Sequence, residues 1–227
     1  FSFSLVTGNL FQQLYTFADT VIIGKKIGAL GLAAVGGTEW LIFMVNGLVI
    51  GLVQGFSILL GNCFGEKNEE RFGIYYQTAK KICLVMAVVL TAVFLMISGS
   101  ILKMLGTKDE VYPMAKVYVD TIFLGIPFLA FYQLFSGALR SRGNSRVPLL
   151  AMTASSLCNI FLDILFVDVL EFGIAGAALG TILSEFVVML ICGYFFYHDQ
   201  RQTVYDRATT ANDRMAAARL FRMGLPM

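Results

Sequence analysis

The chain has 227 residues, of which 57% are hydrophobic and only 14% are charged, and its formal net charge is +2. Soluble domains carry about 25% charged residues, so this apolar excess is too large for one globular core and a lipid bilayer is the expected surrounding. The basic residues fall in short clusters between apolar runs and not on one polar face, which argues against a nucleic-acid partner.

Six apolar segments are each long enough to cross a bilayer, which takes about 20 mostly apolar residues in a helix. Short connections join most of them, so neighbouring helices must run antiparallel. The longest connection, 61–81, holds the polar run GEKNEERFG and is expected to be a loop before a helix that starts early. We therefore predict an all-α membrane protein whose residues 1–197 form a six-transmembrane-helix bundle. In chain order the segments cover residues 1–24, 32–60, 82–102, 111–139, 147–167 and 172–197.

The remaining residues indicate a linker and a further segment. Residues 198–218 are polar with mixed charge and are expected to form a cytoplasmic linker, while 219–227 resemble the start of a seventh apolar segment. The chain begins with Phe1 inside an apolar run, so we expect it to be a fragment of a longer protein.

Lys and Arg counts in alternate connections predict the orientation of the bundle. Twelve of these residues follow the second, fourth and sixth segments, and five follow or flank the first, third and fifth. Because the cytoplasmic side carries the excess of Lys and Arg, both termini of the chain are expected in the cytoplasm and the bundle in the cell membrane.

Glycines at a spacing of four occur in two of the predicted helices. Gly47, Gly51 and Gly55 form one stripe, and Gly176 and Gly180 form another. Small residues at this spacing let helix backbones approach closely in lipid, so both stripes are expected at packing interfaces.

The motifs of soluble catalysis are missing from the sequence. It holds no P-loop, HExxH or GxSxG pattern, and its single histidine, His198, stands at a predicted helix end. The four cysteines lie in or beside apolar runs without a CxxC pairing, and we interpret them as small buried residues. The chain is therefore expected to be neither an enzyme nor a protein with a resident cofactor.

Ionisable residues inside the apolar segments are the candidates for function, because each costs at least about 2.5 to 3.5 kcal/mol to insert into a membrane. Measured at about 1.5 Å per residue from the predicted outer helix ends, Asp19 and Asp163 lie about 7 and 6 Å deep and Thr181 about 14 Å deep. Asn159 and Tyr15 each precede one of these aspartates by four residues and share its helix face. Oxygen ligands of this kind suit H⁺ or Na⁺, and not a transition metal.

Two neighbouring carboxylates in a low dielectric cannot both remain charged at low cost. Either one of Asp19 and Asp163 carries a proton or a cation lies between them, and both arrangements make the site switchable. A structural polar contact or a position near the lipid interface is the alternative for each residue.

Other polar residues in the segments are candidates for a cavity or substrate contact. Glu39 and Asp120 lie about 12 Å from the outer helix ends, where a water-filled vestibule would account for them. Glu185 lies deeper and is a candidate for a relay, a substrate contact or a structural hydrogen bond. Trp40 lines the cavity or marks the membrane interface. The full set of cavity candidates is Glu39, Trp40, Gln54, Asp120, Gln133 and Glu185.

Five sequence stretches, in order, resemble the multidrug and toxic compound extrusion family. The first is GNLFQQLYTFADTVIIGKKIGALGLAAVG, which resembles the family's opening, where a Q-x-x-Y-x-x-x-D-T pattern precedes a V-G and an A-A-V-G. The others are GNCFGEKN, ALRSRGNSRVP, NIFLDILFV and FGIAGAALGTILSE. No single stretch is decisive, but all five occur in the family's order and spacing. Together they cover nearly the whole chain.

The resemblance implies a twelve-helix antiporter with two six-helix lobes around a central cavity, of which this chain is the first lobe. Such a transporter exports cationic or amphipathic compounds in exchange for Na⁺ or H⁺ and uses only that coupling ion. Its partners are the lipid bilayer, the small substrate and the missing second lobe. The family's first-lobe cation cluster maps onto Asp19, Asn159, Asp163 and Thr181, with Tyr15 nearby. Where the family often has a proline in the first helix this chain has Ser4, so bending of that helix is in doubt.

Two other functions stay open at the level of the sequence. A lipid-linked precursor flippase of the same superfamily would need basic residues in its cavity for a pyrophosphate, and no helix interior holds an Arg. A membrane scaffold that transports nothing would leave the buried carboxylates without a purpose.

Overall fold

A computed structural model describes residues 17–200 of the chain, which are helical apart from short turns and contain no strand. Helix α1 covers residues 17–26 of the described part. The elements that follow are α2 Ala29–Gly65, α3 Glu69–Met104, α4 Tyr112–Leu124, α5 Ile126–Ser141, α6 Arg146–Asp163, a π-helical segment Ile164–Val169 and α7 Gly173–Gln200.

These helices form five spans that are long and apolar enough to cross a membrane. They are α2, α3, α4 with α5, α6 with the π-helical segment, and α7. The first predicted segment, 1–24, is described only from residue 17 onward, and the predicted linker and seventh segment lie outside the described residues. The prediction of an all-α membrane bundle is confirmed.

The predicted loop at 61–81 is wrong in its extent. Helix α2 continues to Gly65 and α3 begins at Glu69, which leaves a connection of only three residues. The Asn68 side chain accepts a hydrogen bond from the Arg71 amide at 2.9 Å and caps α3, and two acidic residues follow in its first turn. The end of α2 is closed by backbone hydrogen bonds from Glu66, Lys67 and Asn68. Both helices therefore continue beyond their apolar stretches, which hydropathy alone does not reveal.

The fourth predicted segment is interrupted in its middle at Gly125, where α4 ends and α5 begins. Pro127 has no amide hydrogen, so the carbonyl of Phe123 loses its usual helical donor. That carbonyl accepts a backbone N–H of the cap and also the Thr91 hydroxyl of α3, at 3.3 Å. A side chain from a neighbouring helix thus stabilises the break inside the membrane.

Helices α4 and α5 lie at the centre of the bundle. In the most apolar stretch of the α4–α5 span, 72% of the residues are buried inside the bundle, whereas the corresponding share for α3 is 22%. Helix α3 therefore turns most of its surface outward. Helix α5 packs against α2, α3 and α7, and α7 in turn packs against α4, α5 and α6. The pair α6 and α7, which carries most of the candidate site, is therefore held against the bundle centre.

The two glycine stripes behave differently. A Cβ atom at Gly176 would lie 3.0 Å from the backbone carbonyl of Phe166, so α7 and the π-helical segment approach as closely as predicted. A Cβ at Gly47 or Gly51 would meet nothing within 4 Å. Among the described residues these two α2 glycines therefore do not lie at a close helix contact, contrary to the prediction.

Candidate cation site

Helix α6 turns a polar face into the bundle at its end. Its buried positions include Ser156, Asn159 and Asp163, which are three and four residues apart and lie on one face of the helix. Asn159 is 1% exposed and Asp163 is fully buried. An amide and a carboxyl group are therefore stacked one turn apart, away from lipid.

The carboxyl group of Asp19 on α1 meets that of Asp163. The two groups are close enough to share a hydrogen bond when one of them carries a proton. When both are ionised they repel each other in a dry environment, which is a costly arrangement. Neither aspartate forms an ion pair with a described basic residue.

Unpartnered polar atoms are concentrated at this point of the molecule. Seven buried side-chain nitrogen and oxygen atoms of residues 17–200 have no hydrogen-bond partner. Five of them belong to three residues: Oδ1 of Asp19, both amide atoms of Asn159 and both carboxyl oxygens of Asp163. Buried polar groups nearly always have a hydrogen-bond partner. A cluster of unpartnered oxygen atoms is therefore what we expect of a site that takes up a proton or a small cation.

Gly180 of α7 makes room for the Asp163 side chain. A Cβ atom at this position would lie 2.3 Å from Oδ1 of Asp163, which is closer than atoms can pack, and 3.3 Å from its Cγ. The sequence predicted only a packing role for Gly180. Its absent side chain also sets the position of the carboxyl group, and that role shows only when α6 and α7 are placed together.

An apolar layer lies one turn from the carboxyl pair. Ile23, Val167 and Ala177 form a separate buried cluster, here called the outer apolar layer. Ile23 and Val167 each follow a site aspartate by four residues, and Ala177 precedes Thr181 by four on the antiparallel helix α7. The side chains of Asp19, Asp163 and Thr181 therefore start from one common level, about 6 Å from this layer.

The Thr181 hydroxyl group is engaged with its own helix. It donates to the carbonyl of Ala177 at 3.2 Å, so its oxygen lone pairs remain as acceptors. Thr181 thus places a hydroxyl oxygen with free lone pairs at the level of the carboxyl pair. Tyr15, the fifth predicted member of the site, lies outside the described residues.

Beyond the outer apolar layer an ion pair joins α1 to the π-helical segment. Lys26 Nζ at the end of α1 contacts the carboxylate of Asp168 in the π-helical segment, and both side chains are about half exposed. This end of the bundle is the outer end in the orientation predicted from the sequence. Toward the outer end, the carboxyl pair is therefore followed first by the outer apolar layer and then by the ion pair.

The other predicted candidates lie apart from this cluster. Asp120 on α4 contacts Lys116 and accepts a 2.7 Å hydrogen bond from Ser98 of α3, so its carboxylate is already compensated. Glu39, Trp40 and Gln54 are exposed on α2, Trp40 to 80%. Gln133 is half-buried on α5, and Glu185 lies on α7 with Oε2 beside Gly125. The structure thus brings together Asp19, Asn159, Asp163 and Thr181 and leaves the cavity candidates dispersed.

Residues 17–200 contain no group of three or more His, Cys, Asp or Glu residues that could hold a metal ion. The candidate ligands at the site are two carboxyl groups, one amide and one hydroxyl. This set matches hard cations, whose ligands are oxygen atoms.

Comparison with known proteins agrees with the fold. The chain is 27% identical to the probable multidrug resistance protein YoeA of Bacillus subtilis over 98% of its own length and 50% of that protein. It is also 27% identical to an FAD transporter of Shewanella oneidensis, with 89% and 45% coverage. The structure superimposes on a MOP superfamily transporter from Pyrococcus furiosus with a TM-score of 0.87, at 28% identity, over 99% of this chain and 50% of that one.

The chain spans about half the length of the curated relatives it matches. The half-length match to the Pyrococcus furiosus structure agrees with the prediction of one lobe of a larger transporter. The family model MatE matches residues 5–165, which is most of the chain and includes Asp19, Asn159 and Asp163. The chain therefore belongs to the MatE family, the multidrug and toxic compound extrusion proteins, whose members are transporters and not enzymes.

Proposed function

We propose that the chain forms the cation-coupled lobe of a secondary exporter, which moves cationic or amphipathic compounds out of the cell in exchange for H⁺ or Na⁺. The observation that carries this proposal is the buried pair Asp19 and Asp163, with Asn159 beside it and without a basic partner. Isolated carboxyl groups in a membrane interior mark ion or proton pathways.

The coupling mechanism follows from the electrostatics of the pair. Neutralisation by a proton or Na⁺ removes the repulsion between Asp19 and Asp163 and favours close packing of α1 against α6. Release of the cation restores that repulsion and favours a different packing. A ligand that binds one packing better than the other shifts the population toward it, which is the physical basis of alternating access.

The substrate class follows from the surface that α2 presents. Its exposed positions include the carboxylate of Glu39, the indole of Trp40 and the amide of Gln54. An acidic group beside an aromatic face suits a lipophilic cation, which the ring attracts through its π electrons. The relative described as a probable multidrug resistance protein supports a drug-like cargo.

An anionic cargo is the second candidate, and the FAD transporter among the relatives favours it. A pyrophosphate group needs free basic residues. Among the described residues Lys80, Lys81 and Lys116 lie within helices, and each has a partner: Lys80 donates to the Tyr197 hydroxyl and Lys116 contacts Asp120. The arginines 71, 140, 142 and 146 lie near helix ends. The lobe therefore has few free basic groups to bind an anionic cargo. The same argument applies to a lipid-linked precursor, which also carries a pyrophosphate.

The proposed location is the cell membrane, with the lipid bilayer and a second six-helix lobe as partners and with both ends of the chain in the cytoplasm. The support for this orientation is the distribution of twelve Lys and Arg residues against five between alternate connections.

The proposal is tested with Asp163→Asn in the full-length protein reconstituted into proteoliposomes. Ethidium serves as the cationic probe and free FAD as the anionic one, and H⁺ and Na⁺ gradients are imposed separately. We expect gradient-driven ethidium transport by the wild type under one of the two gradients, and transport at the level of protein-free liposomes for the variant. An amide keeps the shape of the side chain but cannot exchange a proton or hold a charge.

The matched control is Glu110→Gln, which neutralises an exposed carboxylate between α3 and α4 and should leave transport unchanged. Undiminished gradient-driven transport by Asp163→Asn would refute the role of the pair. Transport of FAD in place of ethidium would shift the proposal to the anionic cargo.

A further inference from the structure

A further carboxyl group lies within a membrane span of this lobe and belongs neither to the Asp19 and Asp163 pair nor to the Asp120 and Lys116 ion pair. Glu185 belongs to α7 and points toward the centre of the bundle, where a Cβ atom on Gly125 would lie 3.1 Å from its Oε2. None of the ion pairs among residues 17–200 includes Glu185, and no described hydrogen bond satisfies it. An unpaired carboxylate at this depth is costly, so the group must have a compensating state.

The place that Glu185 contacts is the break between α4 and α5. Gly125 ends one helix and begins the next, and its own amide donates to the carbonyl of Ile122 at 2.9 Å. The absence of a side chain on Gly125 lets the carboxyl group approach this backbone. Helix breaks within membrane spans are tolerated where buried polar groups surround them, and they are common at ion sites of transporters.

Helix geometry relates Glu185 to the cation site. Glu185 follows Thr181 by four residues, so it lies on the same side of α7, about 6 Å farther from the outer apolar layer. Asn159 lies one turn from Asp163 in the same direction on the antiparallel helix α6. Asn159, one turn inward of Asp163, and Glu185, one turn inward of Thr181, are therefore at a similar second level along their helices.

None of the described groups that face Glu185 from neighbouring elements forms an ion pair with it, so its charge is not fixed by a partner. Helix α5 contributes the buried phenol of Tyr132, which interacts electrostatically with it, and α4 contributes Gly125 and no charged side chain. Arg140 of α5 and Cys192 of α7 interact with Tyr132. On α4, Asp120 is engaged with Lys116.

We propose that Glu185 is a second proton-binding carboxyl group of this lobe, positioned by the α4–α5 break and separate from the Asp19 and Asp163 pair. The proposal rests on the proposed function and extends it: the lobe then takes up two cations at two levels, one between α1 and α6 and one between α7 and the helix break. Protonation neutralises the Glu185 carboxylate beside Gly125. Helix α7 can then pack against the α4–α5 break without a bound metal cation.

The test is infrared difference spectroscopy of the purified full-length protein between acidic and alkaline pH, which reports the carbonyl band of protonated carboxyl groups. Asp19→Asn/Asp163→Asn serves as the parent, so that the pair does not contribute. We expect the parent to retain a pH-dependent band that disappears with the additional change Glu185→Gln and persists with Glu185→Asp. The matched control is the addition of Glu110→Gln, which should leave the band in place.

A second variant tests the contact with the helix break. Gly125→Ala in the same parent brings a methyl group against the carboxyl oxygen and should shift the pH at which the band appears. Gly65→Ala, at a position where a Cβ meets nothing within 4 Å, should not. A band that is absent from the parent, or that persists unchanged with Glu185→Gln, would overturn the proposal. The spectra need no transport, so this outcome is independent of the result for Asp163→Asn.

Discussion

At the scale of single residues, the candidate site depends on a contact between a carboxyl group and a position without a side chain. Asp163 reaches its place because Gly180 leaves the space that any other residue would fill. The carboxyl group is thereby held fully buried between α6 and α7, where it meets Asp19. The geometry of the pair is therefore set by a residue that cannot itself bind a cation.

The change Gly180→Ala tests this dependence. The added methyl group would lie 2.3 Å from Oδ1 of Asp163, so the carboxyl group or α7 must move. We expect a loss of stability of about 1 to 3 kcal/mol, as for other overpacked interiors, together with impaired transport. Thermal unfolding of the full-length protein in detergent measures the first effect.

A double-mutant cycle separates the contact from a general effect on the helix. Asp163→Ala removes the group that the new methyl meets, so Gly180→Ala should cost much less in that background. Equal costs in both backgrounds would show that Gly180 does not act through Asp163. Gly65→Ala, in open space, provides the control.

At the scale of helices, the segment after Asp163 separates the site from the outer end. The π-helical segment places Val167 against Ile23 and Ala177 in the outer apolar layer and places Asp168 beside Lys26. The ion pair is about half exposed, and such pairs contribute about 0 to 1 kcal/mol. Because the ion pair is open to solvent, we expect the apolar layer to be the main barrier to water at this end.

The change Val167→Asn tests the barrier. Val167 is 3% exposed, and a polar side chain there would draw water into the layer. We expect faster modification of Asp163 by a water-soluble carbodiimide, measured by mass spectrometry of the full-length protein. The control is Val169→Asn, at a position 63% exposed, which should leave the rate unchanged. Equal rates for the two variants would mean that the layer does not limit access.

The sequence predicted the spans well because a bilayer demands long apolar stretches, and it failed where side chains and backbone interact across helices. The early start of α3 depends on the Asn68 cap, and the break at Gly125 depends on Pro127 and on Thr91 from another helix. Proline signals such a break in a sequence, but its compensation is visible only in the packed bundle.

The site shows the same division. The cost of ionisable residues in apolar segments makes Asp19 and Asp163 candidates, as it does Glu39, Asp120 and Glu185. Only the structure shows that the first two meet. The outer apolar layer, the space at Gly180 and the contact of Glu185 with Gly125 each involve two or three helices whose register hydropathy does not fix. These features therefore required the structure.

At the scale of the whole molecule, the chain is about half as long as its curated relatives, and α2 carries an open face. Glu39, Trp40 and Gln54 lie exposed on that helix, and Gly47 and Gly51 meet nothing within 4 Å. A helix with polar groups and unoccupied glycines on one side is suited to line a cavity shared with a second lobe. The carboxyl pair would then act on that cavity through the packing of α1 and α6.

The most direct measurement is cation binding to the purified full-length protein, followed by radioactive sodium at fixed pH and by proton uptake without sodium. If Asp19 and Asp163 form one pocket, a single binding step for one of these cations is lost in both Asp19→Asn and Asp163→Asn and is kept in Glu110→Gln. Binding that is unchanged in either aspartate variant would contradict the shared pocket and the coupling mechanism built on it.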